Sequence, residues 1–262
     1  MSIKVSNVTS PIYLHSSYDR DNSPKRKLAD KKFILSTHNN LKPQKRSGEY
    51  NVVQFDQRSM LFPIQYMEKY VNANVISHAL KTNPNITKIL NEHGIIPRIS
   101  EINIDERAKM HMFTTYLYAK DLAEHVKLAP QKANTLYQAA LLHDIGKALI
   151  PEKIIQKPDK LTHNERTIVD LHSELGYEIL RTTDVSQDVL EAVRTHHTDT
   201  KNPQKNIVSQ ILSVVDVFSA LKEERVYKQA MTDDKAFEIM TSSPKLSQFL
   251  VMNLNNIRNN KS

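Results

Sequence analysis

From residue 101 onward, apolar positions recur three and four apart in one run after another, with short polar breaks between the runs. Ala108, Phe113, Leu117 and Leu122 keep this broadly helical spacing behind Asp105, a good N-cap residue, and predict a helix over 106–126. A second run, 131–145, is closed by Gly146 and then Pro151. Thr162 and Glu165 match a capping box and predict one helix through Leu180, and Asp184 or Ser186 opens another towards His197. TDTKNPQKN, residues 198–206, is a loop of turn formers; IVSQILSVVDVFSALKEERVY after it predicts a long apolar helix. A further helix follows Thr232, and Ser243–Pro244 is a cap and first-turn pair for the last one. Almost nothing here asks for a sheet, so the expected fold is all-α, a helical bundle.

The front of the chain is patterned differently. FPIQYMEKYVNANVISHAL and NITKILNEHGII predict two or three short helices, interrupted at NPN and HG. Residues 15–48 carry charge, Ser, Asn and Pro but few groups able to anchor a core, which reads as a basic linker. IKVSNV and PIYL, within residues 1–14, are fragments for one or two strands. The expected organisation is a short N-terminal segment (1–14), the linker (15–48), a small helical module (50–100) and the main helical domain (101–262).

Composition removes several kinds of chemistry. The absence of cysteine excludes disulfides, thiolate zinc sites, iron–sulfur clusters and thiol nucleophiles, and suits a reducing cytoplasm, the expected location. Four glycines in 262 residues argue against doubly wound nucleotide folds, which use glycine-rich turns to bring backbone close to phosphate. No apolar run approaches the roughly 18 residues of a membrane span. The net charge of +7 sits at the front: residues 1–100 hold 15 Lys/Arg against 7 Asp/Glu, and residues 101–240 hold 18 against 22. Such a bias serves solubility, or attracts an anionic partner.

What remains is a set of imidazoles and carboxylates in unusual places. His111 lies in the first long helix, His143 and Asp144 end the second, His172 is inside the third, and His196 and His197 end the fourth. Asp216 interrupts VSQILSVVDVFSAL, where a buried carboxylate is costly without a cation or a full set of hydrogen bonds. Five histidines and two aspartates drawn to the centre of a bundle suit two divalent transition-metal ions, iron or manganese first, with nickel, cobalt or zinc as alternatives. Seven ligands are too many for one tetrahedral ion. His15, His38, His78, His93 and His163 read as ordinary polar residues.

Residues 107–240 resemble the HD phosphohydrolase superfamily, and HDIGKALIPEKIIQKPDKLTHNE, LHSELGYEIL and SVVDVFSALKEERVYKQAM resemble its HD-GYP branch of cyclic dinucleotide phosphodiesterases. The resemblance implies a helical bundle around a multi-metal site. It assigns His111, His143, Asp144 and Asp216 to one ion, and His172, His196, His197 and a bridging Asp144 to the other. Arg107 stands where three-metal members have a glutamate, so two ions are expected at most. Lys147 would approach a phosphate oxygen and stabilise developing charge. Arg225, in a stretch where the family's proline is Val226, would meet phosphate, brace the site or make a structural ion pair. The expected activity is hydrolysis of cyclic di-GMP or a related cyclic dinucleotide.

One departure bears on that expectation. The family follows its histidine pair with glutamate, arginine and a glycine-rich Gly-Tyr-Pro loop, whereas this chain reads HHTDTKNPQKN, without glycine or tyrosine. The alternatives are therefore a catalytically degenerate domain that senses a nucleotide or docks a signalling protein, and a phosphohydrolase acting on another nucleotide or on RNA. Oligomeric state is open.

Overall fold

A computed structural model describes residues 57–96, 102, 104–199, 205–224 and 230–260. Its elements are α1 (Gln57–Tyr70), α2 (Ala73–Thr82), α3 (Pro84–Glu92), α4 (Glu106–His125), α5 (Pro130–Leu142), a 3-10 helix (Ile145–Leu149), α6 (Glu152–Ile155), α7 (His163–Asp170), α8 (His172–Leu180), α9 (Gln187–Thr195), α10 (Ile207–Lys222), α11 (Asp233–Thr241) and α12 (Gln248–Asn259). The fold is all-α: a bundle of α4 to α12 with a smaller helical module, α1 to α3, ahead of it. The chain divides into two compact units at Gln65–Tyr66, and the second holds everything described below. None of the described helices is long and apolar enough to cross a membrane.

Local chemistry sets the helix starts. The Asp105 side chain accepts from the Ala108 N–H at 2.7 Å and opens α4. Thr162 and Glu165 form the capping box: the Glu165 N–H donates to Thr162 Oγ1 and the Thr162 N–H to Glu165 Oε2. Ser186 is the N-cap of α9, and Thr232 caps α11 through the Lys235 N–H.

In the bundle, α4, α5 and α10 pack against one another, α9 lies against α5, α8 and α10, and α11 and α12 close over α10. Met112, Leu122, Leu136, Leu142, Leu212 and Phe218 are fully buried among them. Each such side chain contributes about 1.5–3 kcal/mol by leaving water. Asp233 ties the far end together, since its carboxylate meets Lys222 Nζ at 2.5 Å and Arg258 Nε at 2.9 Å, joining the C-terminus of α10 to α11 and α12.

Two expectations are corrected. The helix predicted through Leu180 is broken at Leu171 into α7 and α8, because α8 turns inward to bury His172, Leu175, Ile179 and Leu180 while α7 buries no residue. The last helix starts after Ser247, not at Ser243–Pro244. Pro244 lies in a turn instead, where the Leu246 N–H reaches Ser243 O and places Leu246 in the core ahead of Leu250, Val251 and Leu254. The long apolar helix is described to Lys222. The strands and linker expected over residues 1–48 lie outside the described residues.

α2 and α3 pack on α8 through a buried polar contact. Asn83, the N-cap of α3, accepts from the Asn85 N–H and donates from Nδ2 to Glu178 Oε2 at 2.6 Å and to Glu178 O at 2.9 Å. Glu178 is itself buried on α8. Asn83→Ala removes a cap and strips a buried carboxylate of its shortest donor, so we expect a loss of about 2–4 kcal/mol, read by urea denaturation. A change below about 0.5 kcal/mol would contradict this account.

Candidate metal centre

Each of the seven residues reaches the centre by a different device. His111 lies within α4 and faces α10, with Nε2 2.9 Å from Asp216 Oδ1. Asp216 is buried in the apolar middle of α10 and also stands 3.5 Å from His143 Nε2 and, through Oδ2, 3.8 Å from His197 Nε2. His143 and Asp144 follow the last residue of α5, and the chain then tightens into the 3-10 helix. That turn lies almost on the backbone of α8: a Cβ on Gly146 would come 2.0 Å from His172 O and 2.6 Å from Gly176 N. Only glycine permits this approach, which carries Asp144 to within 3.5 Å of His172 Nε2.

His196 and His197 are adjacent, yet both serve the centre because α9 ends there. Carbonyls at and just past its C-cap are taken by α10 and the segment before it: Ser213 Oγ donates to His196 O, and Lys205 Nζ donates to Thr198 O at 2.6 Å. Lys205 is buried, and burial lowers its pKa to about 8. His196 is buried, whereas His197 is exposed along one edge.

The carboxylate of Asp144 divides the site. Its Oδ2 lies 3.5 Å from His143 Nε2, 3.6 Å from His111 Nε2 and 2.5 Å from Lys147 Nζ, while Oδ1 faces His172. Potential ligand atoms converge within 4.8 Å in three groups: His111, His143 and Asp216; His143, Asp144 and His196; and His172, His196 and His197. All seven residues proposed from sequence fall in these groups. His78, His93 and His163, read as ordinary, fall in none of them.

The electrostatics suit a cation. Burial would raise the pKa of Asp144, but the Lys147 ammonium and the surrounding imidazoles hold it well below the usual carboxylate range. Asp216 is likewise lowered against its burial, by His111 and His143. Burial works against charge on His111 too, yet its contacts with Asp216 and Glu223 prevail and raise it to about 10. Burial lowers His172 to about 3 and puts His196 well below the normal imidazole range, so both present neutral rings. His143 Nε2 is fully buried with no hydrogen-bond partner, an orphaned donor or acceptor beside two carboxylates. The neutral rings of His172 and His196, two anionic carboxylates and one orphaned ring nitrogen are a donor set that divalent transition metals fit, and at His111 a cation would take the place of the ring proton that Asp216 and Glu223 retain.

Lys147 is part-exposed at the rim, on the 3-10 helix. Arg225, with the stretch 225–229, lies outside the described residues, as does 200–204 of the loop after the histidine pair. One residue escaped the sequence reading: Glu223, the C-cap of α10, whose Oε1 contacts His111 Nδ1. Its signal was positional, because Asp216, Ser219 and Glu223 are spaced three and seven apart and share a helix face.

A family model described as HD domain matches residues 101–247. Over 158 residues the chain is 32% identical to the 3'3'-cGAMP-specific phosphodiesterase 2 of Vibrio cholerae, covering 54% of this chain and 30% of that protein. Over 126 residues it is 34% identical to the cyclic di-GMP phosphodiesterase response regulator RpfG of Xanthomonas campestris, covering 44% and 33% respectively. It thus spans about a third of the length of these curated relatives. The HD domain of the L. monocytogenes phosphodiesterase PgpH, solved in complex with cyclic-di-AMP, superimposes with a TM-score of 0.44 at 18% identity, covering 57% of this chain and 86% of that one.

Proposed function

This chain belongs to the HD-domain family, and we propose that it is a metal-dependent phosphodiesterase hydrolysing cyclic di-GMP or a related cyclic dinucleotide. The observation that carries the reading is Asp144, whose two carboxylate oxygens face two different groups of histidines. His111, His143 and Asp216 would hold one divalent ion, His172, His196 and His197 the other, with Asp144 shared. When bound, such ions supply Lewis-acid polarisation of a phosphate and a water acidic enough to ionise near neutral pH. Iron or manganese is the assignment we carry to the test, and the same imidazoles and carboxylates also accept nickel, cobalt or zinc.

The protein's own residues do the rest. Asp144 is held ionised by Lys147, so no proton competes for its oxygens at neutral pH. His143, His172 and His196 each point Nδ1 at a backbone carbonyl, which fixes their rings and keeps Nε2 inward. Lys147 is the cation at the rim and is assigned to a non-bridging phosphate oxygen, where it would stabilise charge as the ester bond breaks. Arg225 is assigned a phosphate contact or a bracing role. The cyclic dinucleotides named for the relatives are the substrate class to test, and a signalling protein is the partner class.

Purified protein loaded with Mn²⁺ or Fe²⁺ should convert cyclic di-GMP, 3'3'-cGAMP or cyclic di-AMP to a linear dinucleotide or mononucleotides, and lose that turnover with a chelator. Two bound ions without turnover on any of the three would contradict the reading. A second reading is favoured by HHTDTKNPQKN, which offers neither glycine nor tyrosine to a substrate: a domain that binds the dinucleotide without cleaving it. Saturable binding of an intact ligand by the metal-loaded protein would select it.

A further inference from the structure

The imidazoles of the centre are not oriented alike. His143, His172 and His196 each direct Nδ1 to the carbonyl three residues earlier: Ala140 O at 2.9 Å, Val169 O at 2.6 Å and Val193 O at 2.6 Å. Those carbonyls lie in the last turns of α5, α7 and α9, which end one or two residues before the histidine concerned. His111 has no such option. It lies in the interior of the 20-residue α4, where the backbone carbonyls are engaged by the helix. Its Nδ1 turns instead to Glu223 Oε1, with Ser219 Oγ 3.4 Å away.

Both partners come from the face of α10 that carries Asp216, so one helix grips both edges of a single ring: Asp216 at Nε2 and Glu223 at Nδ1. Glu223 is itself placed firmly. The preceding Lys222 donates to Met231 O at 2.6 Å and pairs with Asp233, and the Met231 N–H returns to Leu221 O at 3.1 Å.

We propose that Glu223 is a positioning residue of the metal centre, accepting the Nδ1–H of His111 and so fixing the tautomer that leaves Nε2 as the donor to a cation beside Asp216. The inference rests on the two-ion reading above and makes the two halves unequal. A carboxylate behind an imidazole makes it a stronger ligand than a carbonyl does. The half built on His172, His196 and His197 includes two rings backed by carbonyls, and its His197 is exposed. Loss of Glu223 therefore weakens one ion and spares the other.

The test is titration of the metal-free full chain with Mn²⁺, following free manganese by electron paramagnetic resonance. Wild type should bind in two steps. Glu223→Ala should weaken one step about 10–100-fold and leave the other unchanged. Glu223→Gln keeps an oxygen that accepts from Nδ1–H, and should recover part of the loss. Two unchanged steps in Glu223→Ala would overturn the inference alone, as would equal weakening of both steps, the mark of a general loss of structure. A wild-type chain that takes up no manganese would sink the two-ion reading and, with it, this inference.

Discussion

Asp144→Ala is expected to remove both ions and all measurable turnover, whereas loss of His111 or His172 removes one ion. The difference follows from the placement of its oxygens. Oδ2 stands between His111, His143 and Lys147, and Oδ1 stands 3.5 Å from His172, whereas Asp216, the other carboxylate, sits 2.9 Å from His111 and meets the second group at His197 alone, 3.8 Å away. Two divalent cations held within a few ångströms repel strongly, and an anion shared between them offsets that repulsion. Asparagine would restore the shape but not the charge, and would turn an NH2 group towards one of the cations. The expected loss of turnover is at least about 10³-fold for Ala, and Asn should remain severely impaired. Metal content after gel filtration, set beside turnover with excess Mn²⁺, checks this. Misfolding is a separable outcome: Lys147 is 28% exposed and can return to water when its partner is gone, so the metal-free variant should melt near the wild type. An Asp144→Ala protein that retains two ions and turns over within about 10-fold of wild type would end the bridging account.

The centre was legible in sequence to the extent that its residues are expensive where they stand. Asp216 among Ile211, Leu212, Val214, Val215 and Phe218 declares itself, because an apolar helix face does not carry a carboxylate without a partner. Asp105, Thr162 and Thr232 mark helix starts for a similar local reason: a side-chain oxygen within reach of an orphan N–H needs no tertiary context. The break at Leu171 lacks any such mark. The apolar spacing runs through it, and only the need to bury His172 while leaving α7 on the surface separates the two helices. Ser243–Pro244 misled because the same pair serves a turn as well as a helix start, and burial of Leu246 decided between them. Glu223 was hidden for the opposite reason to Asp216. It occupies a polar helix end, KEER, where an acidic residue costs nothing and signals nothing; its partner, His111, is 112 positions away.

Gly146→Ala should be among the most damaging single-methyl substitutions available to this chain. The methyl carbon would fall 2.0 Å from His172 O, 2.6 Å from Gly176 N and 2.9 Å from His172 C, all backbone atoms of α8 that no rotamer change can move aside. Relief requires the 3-10 helix and α8 to separate, and both Ile145 and Leu175 are fully buried. Overpacking of a core costs about 1–3 kcal/mol where side chains can adjust, so a backbone clash should cost about 3 kcal/mol or more. At about 2–4 °C per kcal/mol for a chain of this size, melting falls by roughly 6–12 °C. Gly94 supplies the control. It has φ of +66° with nothing within 4 Å of an added Cβ, so Gly94→Ala carries only conformational strain, about 1 kcal/mol. The two glycines thus separate crowding from backbone conformation. Gly146→Ala should also impair the metal centre beyond its effect on folding. The displaced turn carries Asp144 and Lys147, and Asp144 reaches His172 only because the two backbones touch. Metal uptake measured well below the lowered melting temperature should therefore be weakened for Gly146→Ala and unchanged for Gly94→Ala. Equal melting temperatures for the two variants would show that the 3-10 helix is free to move away from α8, and would remove the structural reason for Asp144 meeting both groups of histidines.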